Sequence, residues 1–340
     1  MDVGDTLLSL FIVVVLIVSF LSNLVVLVCY VYSSEIRRQV PSIFTINLTV
    51  CNLIMTLFNM PLTLAGVITQ EQPFDDCLCQ VLGFTETFLT TNTMLSMAAL
   101  SLDRWVAVVF PLSYTTKMSY KDAAVIMSYT WIHSLCFPLV ATYFKWFDYH
   151  RNYASCTMWA KDSEWLPFST MTVVYHGTTF LLSLVVLCVT YMKVLKVARF
   201  HCKRIDIITM QTLVLLVDIH PSVKQRCLVE QKKRRQRATR KVSTFIGTFV
   251  LCFAPYVITR LVEIAPSVTV GHHWALFSRC LAYSKAALDP YVYSLLRRQY
   301  RKVWEKPLDK VLRRERHKCH AHPSSQDTEN DSACQRANLR

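Results

Sequence analysis

Glycine is scarce in this chain, six in 340 residues, and that scarcity argues against a transporter or channel. Such proteins favour inverted repeats and helices broken at paired glycines or prolines, and no internal repeat is visible either. Charge is missing over longer stretches still. No Asp, Glu, Lys or Arg occurs from Thr6 to Ser34, Gln39 to Gln70, Ala123 to Phe144, Trp165 to Met192, or Val242 to Thr259. All but the last exceed the roughly 20 residues a helix needs to cross a bilayer's hydrocarbon core. The last has 18 residues and gains length from its flanks. A soluble domain would break such runs with periodic polar positions. Also missing is any nucleophile–base set or metal-ligand spacing, so no catalytic residue, metal site or cofactor is expected, and the chain does not read as an enzyme.

What is present fits a membrane. The residues are 53% hydrophobic and the mean hydropathy is positive. Two further apolar stretches carry isolated charges: Cys77 to Leu102 with Glu86, and Trp274 to Leu296 with Arg279, Lys285 and Asp289. That makes seven spans, and the expected fold is an all-α membrane protein, a seven-transmembrane helix bundle. The first apolar stretch is too long for a signal-peptide core and lacks a basic n-region, so it reads as a span. Residues 1–6 before it read as a short extracellular N-terminus without a glycosylation sequon, and a large extracellular domain is not expected. Residues 7–296 form the bundle, with the longest cytoplasmic loop at about 200–234.

Basic residues orient the bundle. The segment from Lys193 to Lys241 holds 14 bases against three acids, and the tail from Arg297 holds 12 against six. The loop between spans two and three has Glu71, Asp75 and Asp76 and no base. The N-terminus is therefore expected outside and the C-terminus in the cytoplasm. The net charge of +14 is mostly this bias and its attraction to anionic lipid, so no nucleic-acid partner is expected. The helix of the fifth span reads as continuing from Tyr191 to Arg204, and Ile207 to Val217 as a separate interfacial or packed segment ending near Pro221. Residues 297–319, opening Arg297-Arg298-Gln299-Tyr300-Arg301-Lys302-Val303-Trp304, read as a short amphipathic helix on the inner leaflet and a basic juxtamembrane tail. Residues 320–340 read as disordered. Thirteen cysteines do not make a disulfide scaffold in a chain this long; Cys77, Cys79 and Cys156 fall on the outer side, and spacing leaves their connectivity open.

The end of the third span reads Ser101-Leu102-Asp103-Arg104-Trp105, followed by Pro111-Leu112. Asn23 stands in the first span, Asn47-Leu48 opens the second, and Trp131 sits in the fourth. Cys252-Phe253-Ala254-Pro255 marks the sixth and Asp289-Pro290-Tyr291-Val292-Tyr293 the seventh. In this order these motifs resemble those of class A, rhodopsin-like G-protein-coupled receptors, with Trp105 in place of a Tyr and Phe253 in place of a Trp. The stretches Ala198 to Arg204 and Thr244 to Phe249 further resemble a small subgroup of orphan receptors. The resemblance implies a plasma-membrane receptor signalling without added ligand through a stimulatory G protein, Gs, and cyclic AMP. It also implies arrestin and receptor kinases as partners and a Cys79–Cys156 disulfide.

The same resemblance assigns roles. Arg104 is expected to pair with Asp103 at rest and to reach the G protein when active. Trp105, Tyr191 and Tyr293 belong to the same coupling face. The start of the sixth helix carries Lys232, Lys233, Arg234, Arg235 and Arg237, so no acid is expected there to lock Arg104; other contacts could replace that lock. Ser183 stands where the fifth helix usually has proline, which is expected to remove a bulge-forming kink.

Three polar residues in the core depart from the family. Asn52 replaces an acid and Asp289 an Asn, so the carboxylate is exchanged across a cavity that in the family binds sodium. Lys285, four residues before Asp289, is placed to pair with it, as a tethered cation; the plain alternative is a backbone carbonyl on another helix. The candidate ligand pocket comprises Glu86, Tyr175, His176, Phe253, Arg279 and Tyr283. Glu86 could grip a small cationic ligand with Tyr283 orienting it, or be satisfied internally by Arg279; His176 reads equally as a hydrogen-bonded wall residue. An opsin-like photoreceptor is a weaker alternative, because the retinal-bearing Lys of opsins falls at Tyr283 and not at Lys285.

Overall fold

The first helix, α1 (Val3–Tyr32), is capped by the Asp2 carboxylate, which accepts from the Val3 amide at 2.6 Å. Its buried face is Ser9, Ile12, Val15, Ser19, Ser22, Asn23, Val26 and Cys29, while Leu7, Leu10, Val14, Ile17 and Leu21 are exposed. Small and polar residues point inward at three- and four-residue spacing and large apolar ones outward. Lipid already solvates leucine, so this sorting is how helices associate within a bilayer. A computed structural model describes residues 2–159, 165–215, 221–265 and 268–295, with Tyr300 and Val303.

After the short α2 (Ser34–Arg37) comes the second span. There α3 (Ser42–Ile54) passes through one π turn (Met55–Asn59) into α4 (Met60–Thr69). The third span is α5 (Asp76–Val109), followed by the short α6 (Tyr114–Lys117). The fourth, α7 (Tyr120–Tyr143), starts on a capping box between Ser119 and Asp122. A two-stranded antiparallel hairpin, β1 (Phe147–His150) and β2 (Ser155–Met158), follows the fourth span. The fifth span runs from α8 (Trp165–His176) through a π turn (Gly177–Leu181) into α9 (Leu182–Leu215). The sixth is α10 (Pro221–Val262), and the seventh is α11 (His272–Asp289) continued by a π turn (Pro290–Leu295).

Five of these spans are long and apolar enough to cross a membrane; the third passes the same test only together with the bent turn after it. The seventh does not, because it buries Arg279, Lys285 and Asp289. Backbone groups in lipid must be satisfied internally, and several buried threonine hydroxyls are satisfied in the same way. Thr49, Thr87, Thr91 and Thr259 each donate to the carbonyl four residues back, at 2.7–2.9 Å.

Two expectations change. The fifth span keeps a bulge without proline: the Leu182 amide reaches the Gly177 carbonyl, five residues back. Thr178 and Thr179 hydroxyls donate to the Val174 and Tyr175 carbonyls at 2.8 and 2.5 Å, so side chains support the turn that proline would otherwise force. The stretch from Ile207 to Leu215 continues α9 and is not a separate segment, since no proline or glycine interrupts it before Pro221, which opens α10. Residues 216–220 and the tail beyond Leu295, including the expected amphipathic helix (Tyr300 and Val303 apart), lie outside the described residues. So do the side chains of Lys232, Lys233, Arg234, Arg235 and Arg237.

Asn47 joins three helices. Its Nδ2 donates to Asn92 Oδ1 at 2.6 Å and Ser96 Oγ at 2.9 Å on α5, and its Oδ1 accepts from Trp131 Nε1 on α7 at 3.0 Å. The largest apolar cluster lies beside it, with Phe44, Met97, Leu100, Leu187, Tyr191, Phe249, Phe253 and Tyr293 buried together.

Candidate functional site

Three polar clusters lie along the bundle axis. At the end of the bundle near α6, Asp103 is 1% exposed, yet its partner is not the expected Arg104. The Tyr114 hydroxyl of α6 donates to Asp103 Oδ1 at 2.6 Å, and among the described residues Arg104 forms no ion pair. Asp103 and Arg104 are consecutive and diverge around the helix, whereas α6 folds back beneath Asp103. The Lys193 ammonium lies 4.9 Å from the centre of the Trp105 ring, a cation–π contact between α9 and α5. Tyr191 and Tyr293 flank Phe245 of α10, with ring centroids 5.0 and 4.9 Å away. Both tyrosine hydroxyls are buried and have no partner among the described residues.

Mid-bundle, Lys285 and Asp289 form an ion pair with both side chains 1% exposed. Asn52 Nδ2 donates to Asp289 Oδ2 at 3.3 Å and to Asn23 Oδ1 at 3.4 Å. Asn23 in turn donates to the Ser19 and Ala286 carbonyls at 2.8 and 2.9 Å. The Lys285 ammonium also lies 5.5 Å from the Tyr293 ring centre, which links this cluster to the one near α6. The residues do not fit a bound sodium ion. The one carboxylate is already met by an ammonium, and Asn52 presents a donor where a metal needs an oxygen.

Toward the hairpin end, Arg279 pairs with Glu86 and donates through Nε to the Tyr283 hydroxyl at 2.9 Å and through Nη2 to Ser155 Oγ of the hairpin at 2.9 Å. Tyr283 and Thr63 share a hydrogen bond of 2.9 Å. Glu86, Phe253, Arg279 and Tyr283 line one cavity with Tyr256, and the cavity reaches down to Asn52 and Lys285. Its volume is about 30 Å³, room for two or three waters. Tyr175 and His176 do not join it. Tyr175 packs in a separate aromatic cluster with Trp146, Phe147 and Phe168 and its hydroxyl lies within hydrogen-bond distance of Thr91 Oγ1, at 3.2 Å; His176 is buried and its Nδ1 has no partner among the described residues. The bulge at Gly177 follows directly, so the angular position of these two side chains is poorly read from spacing. The Cys79–Cys156 disulfide is formed and Cys77 is free and exposed.

Residues 22–293 match the 7 transmembrane receptor (rhodopsin family). The chain belongs to that family. It is similar to G-protein coupled receptor 26 of Homo sapiens, 62% identical over 298 residues that cover 87% of this chain and 88% of that protein. G-protein coupled receptor 78 of Homo sapiens is 44% identical over 328 residues, covering 96% and 90%. The histamine H2 receptor of Cavia porcellus is more distant, 22% identical over 303 residues covering 87% and 77%. As a rhodopsin-family receptor the chain is a multi-pass membrane protein, acts on heterotrimeric G proteins and is not an enzyme.

Several residues at these sites escaped sequence reading: Tyr114, Tyr153, Ser155, Arg260, Glu263 and Phe245. The signal for two of them was present. Arg260 and Glu263 lie three apart where the charge-free run of the sixth span ends, and they form a buried ion pair at 2.7 Å.

Proposed function

We propose that this receptor is an orphan that signals without added ligand, through Gs and cyclic AMP, from the plasma membrane with its N-terminus outside. The Lys285–Asp289 pair carries the reading. In related receptors a mobile cation at this cavity holds the resting state; here a covalently attached ammonium meets the acid on the same helix, and among the described residues that ion pair spans no second helix. The restraint on opening is thereby weakened. Tyr114 holding Asp103 leaves Arg104 without an ion pair among the described residues, in the same direction. Arrestin and receptor kinases are the expected further partners.

Cyclic AMP measured against surface expression, without ligand, tests this. Wild type should rise with expression and Arg104→Ala should not. A flat wild-type line would remove the basal reading. Replacing Lys285 with Asn should alter basal signalling and bring sodium sensitivity; no change in either would remove the role given to the pair.

A receptor for a small cationic ligand at Glu86 is the second reading. It is less supported, because Arg279 already fills the role of the cation. The opsin-like reading is weaker again, since Lys285 is engaged by Asp289 and the opsin position is Tyr283; a retinal-dependent absorbance band would revive it.

A further inference from the structure

Tyr153, at the turn of the β1–β2 hairpin, is 0% exposed although it belongs to an extracellular loop. Its ring lies 5.4 Å from the Arg260 guanidinium and 6.0 Å from that of Arg279. It meets Tyr256 edge-on at 5.8 Å, and its hydroxyl donates to Glu263 Oε2 at 3.0 Å. A cation near an aromatic face is attracted by the ring quadrupole, more strongly when both are dry. Arg260 and Glu263 come from the outer end of the sixth span and Arg279 from the seventh. One phenol therefore contacts both helices through an aromatic slot with two cationic neighbours and one anionic end.

The surrounding backbone is arranged to hold that ring in place. The next residue, Ala154, adopts the left-handed conformation at φ 48°, ψ 35°, which a non-glycine residue keeps only when its surroundings impose it. Gly66 of α4 admits the Ala154 carbonyl: a Cβ there would stand 2.4 Å from that oxygen. On either side, Asn152 Nδ2 donates to the Val270 carbonyl at 3.1 Å, Ser155 accepts from Arg279, and the Met158 carbonyl accepts from Arg260. Cys156 fixes the strand to α5 through the disulfide. The cavity beneath, walled by the same Arg279 and Tyr256, is left with space for water only.

We propose that Tyr153 is this receptor's own ligand: its phenol fills a phenol-binding slot between the sixth and seventh spans and holds them in the signalling arrangement. The slot selects an aromatic ring with a hydrogen-bond donor at its para end, so a free para-substituted phenol is the class of molecule that would take it once Tyr153 is removed.

Cavity complementation on the full chain tests the proposal, using p-cresol as the probe. Purified Tyr153→Ala should melt several degrees below wild type. Millimolar p-cresol should restore most of the difference, toluene should restore less, and wild type should not respond because its slot is filled. In cells at matched surface expression, basal cyclic AMP of Tyr153→Ala should fall about threefold or more and recover with p-cresol, with Tyr153→Phe between the two. A folded Tyr153→Ala that ignores p-cresol would overturn the slot, as would one that never reaches the surface even with p-cresol in the medium. Wild-type basal signalling in a folded Tyr153→Ala would overturn the ligand role. The signalling arm rests on the basal-activity reading above. A wild type without basal cyclic AMP would sink that reading, and the melting arm would then decide the slot alone.

Discussion

The hydroxyl of Tyr114 donates to Asp103 across 2.6 Å, so the acid of the third-helix motif is held by the short α6 and not by its neighbour Arg104. Removing that hydroxyl leaves a buried carboxyl short of a donor, at a cost of about 1–3 kcal/mol. The nearest replacement is Arg104. Tyr114→Phe should therefore lower basal cyclic AMP at matched surface expression; an unchanged or higher level would mean that Asp103 does not compete for Arg104.

The two members of the mid-bundle pair should be strongly coupled in stability. Lys285→Met strands a buried carboxylate, and breaking a buried pair in this way costs about 3–5 kcal/mol. Asp289→Asn strands the ammonium similarly. The double variant Lys285→Met/Asp289→Asn should recover most of the loss, so thermal melting of the four proteins should give a large coupling energy. Additive losses would show that the pair contributes little as a pair.

His150 of the hairpin is pushed down from the ordinary histidine value to about 4, first by burial and then by Arg260 and Arg279, with Asp148 opposing. Between about pH 6.5 and about pH 4 the unfolded chain binds a proton there that the folded chain does not. Stability is therefore complete above that window and declines as pH falls through it. Melting temperature should drop from pH 7 to pH 4.5, and His150→Phe should flatten the drop. An identical pH profile for both proteins would remove His150 as the cause.

Ala154 and Gly66 make opposite predictions at one contact. Ala154→Gly relieves a left-handed alanine, worth about 1–2 kcal/mol, against an entropy cost of about 0.5–1 kcal/mol, and should raise the melting temperature slightly. Gly66→Ala forces the Ala154 carbonyl away and should destabilise by about 1–3 kcal/mol, the usual range for overpacking. Equal melting of the two variants would contradict the close approach.

Charge-free runs located the seven spans, because membrane burial tolerates few interruptions. The Lys285–Asp289 pair was legible because both residues lie on one helix at fixed spacing. Glu86 with Arg279 was legible as the internal alternative to a bound ligand, once motif positions placed both in the outer half of the bundle. Tyr153 was not legible: its burial depends on a hairpin folding back over the bundle, and nothing in Arg151-Asn152-Tyr153-Ala154 declares it. The π turn at Gly177 was missed because one extra residue in a helical turn leaves no periodic mark over so short a length. Misplacing Tyr175 and His176 was a consequence of reading that helix as regular. Tyr114 escaped because its partner was assigned by the motif to the adjacent residue.

Asn47 uses both amide hydrogens and its carbonyl to fasten three spans together, so those spans cannot slide past one another without losing directional bonds. The inner half of α10 is seated differently. Phe245 and Phe249 rest on the rings of Tyr191, Tyr293 and Phe180, contacts that tolerate rotation. The bundle is thereby divided into a stator of α3, α5 and α7 and a rotor, α10, running on an aromatic bearing.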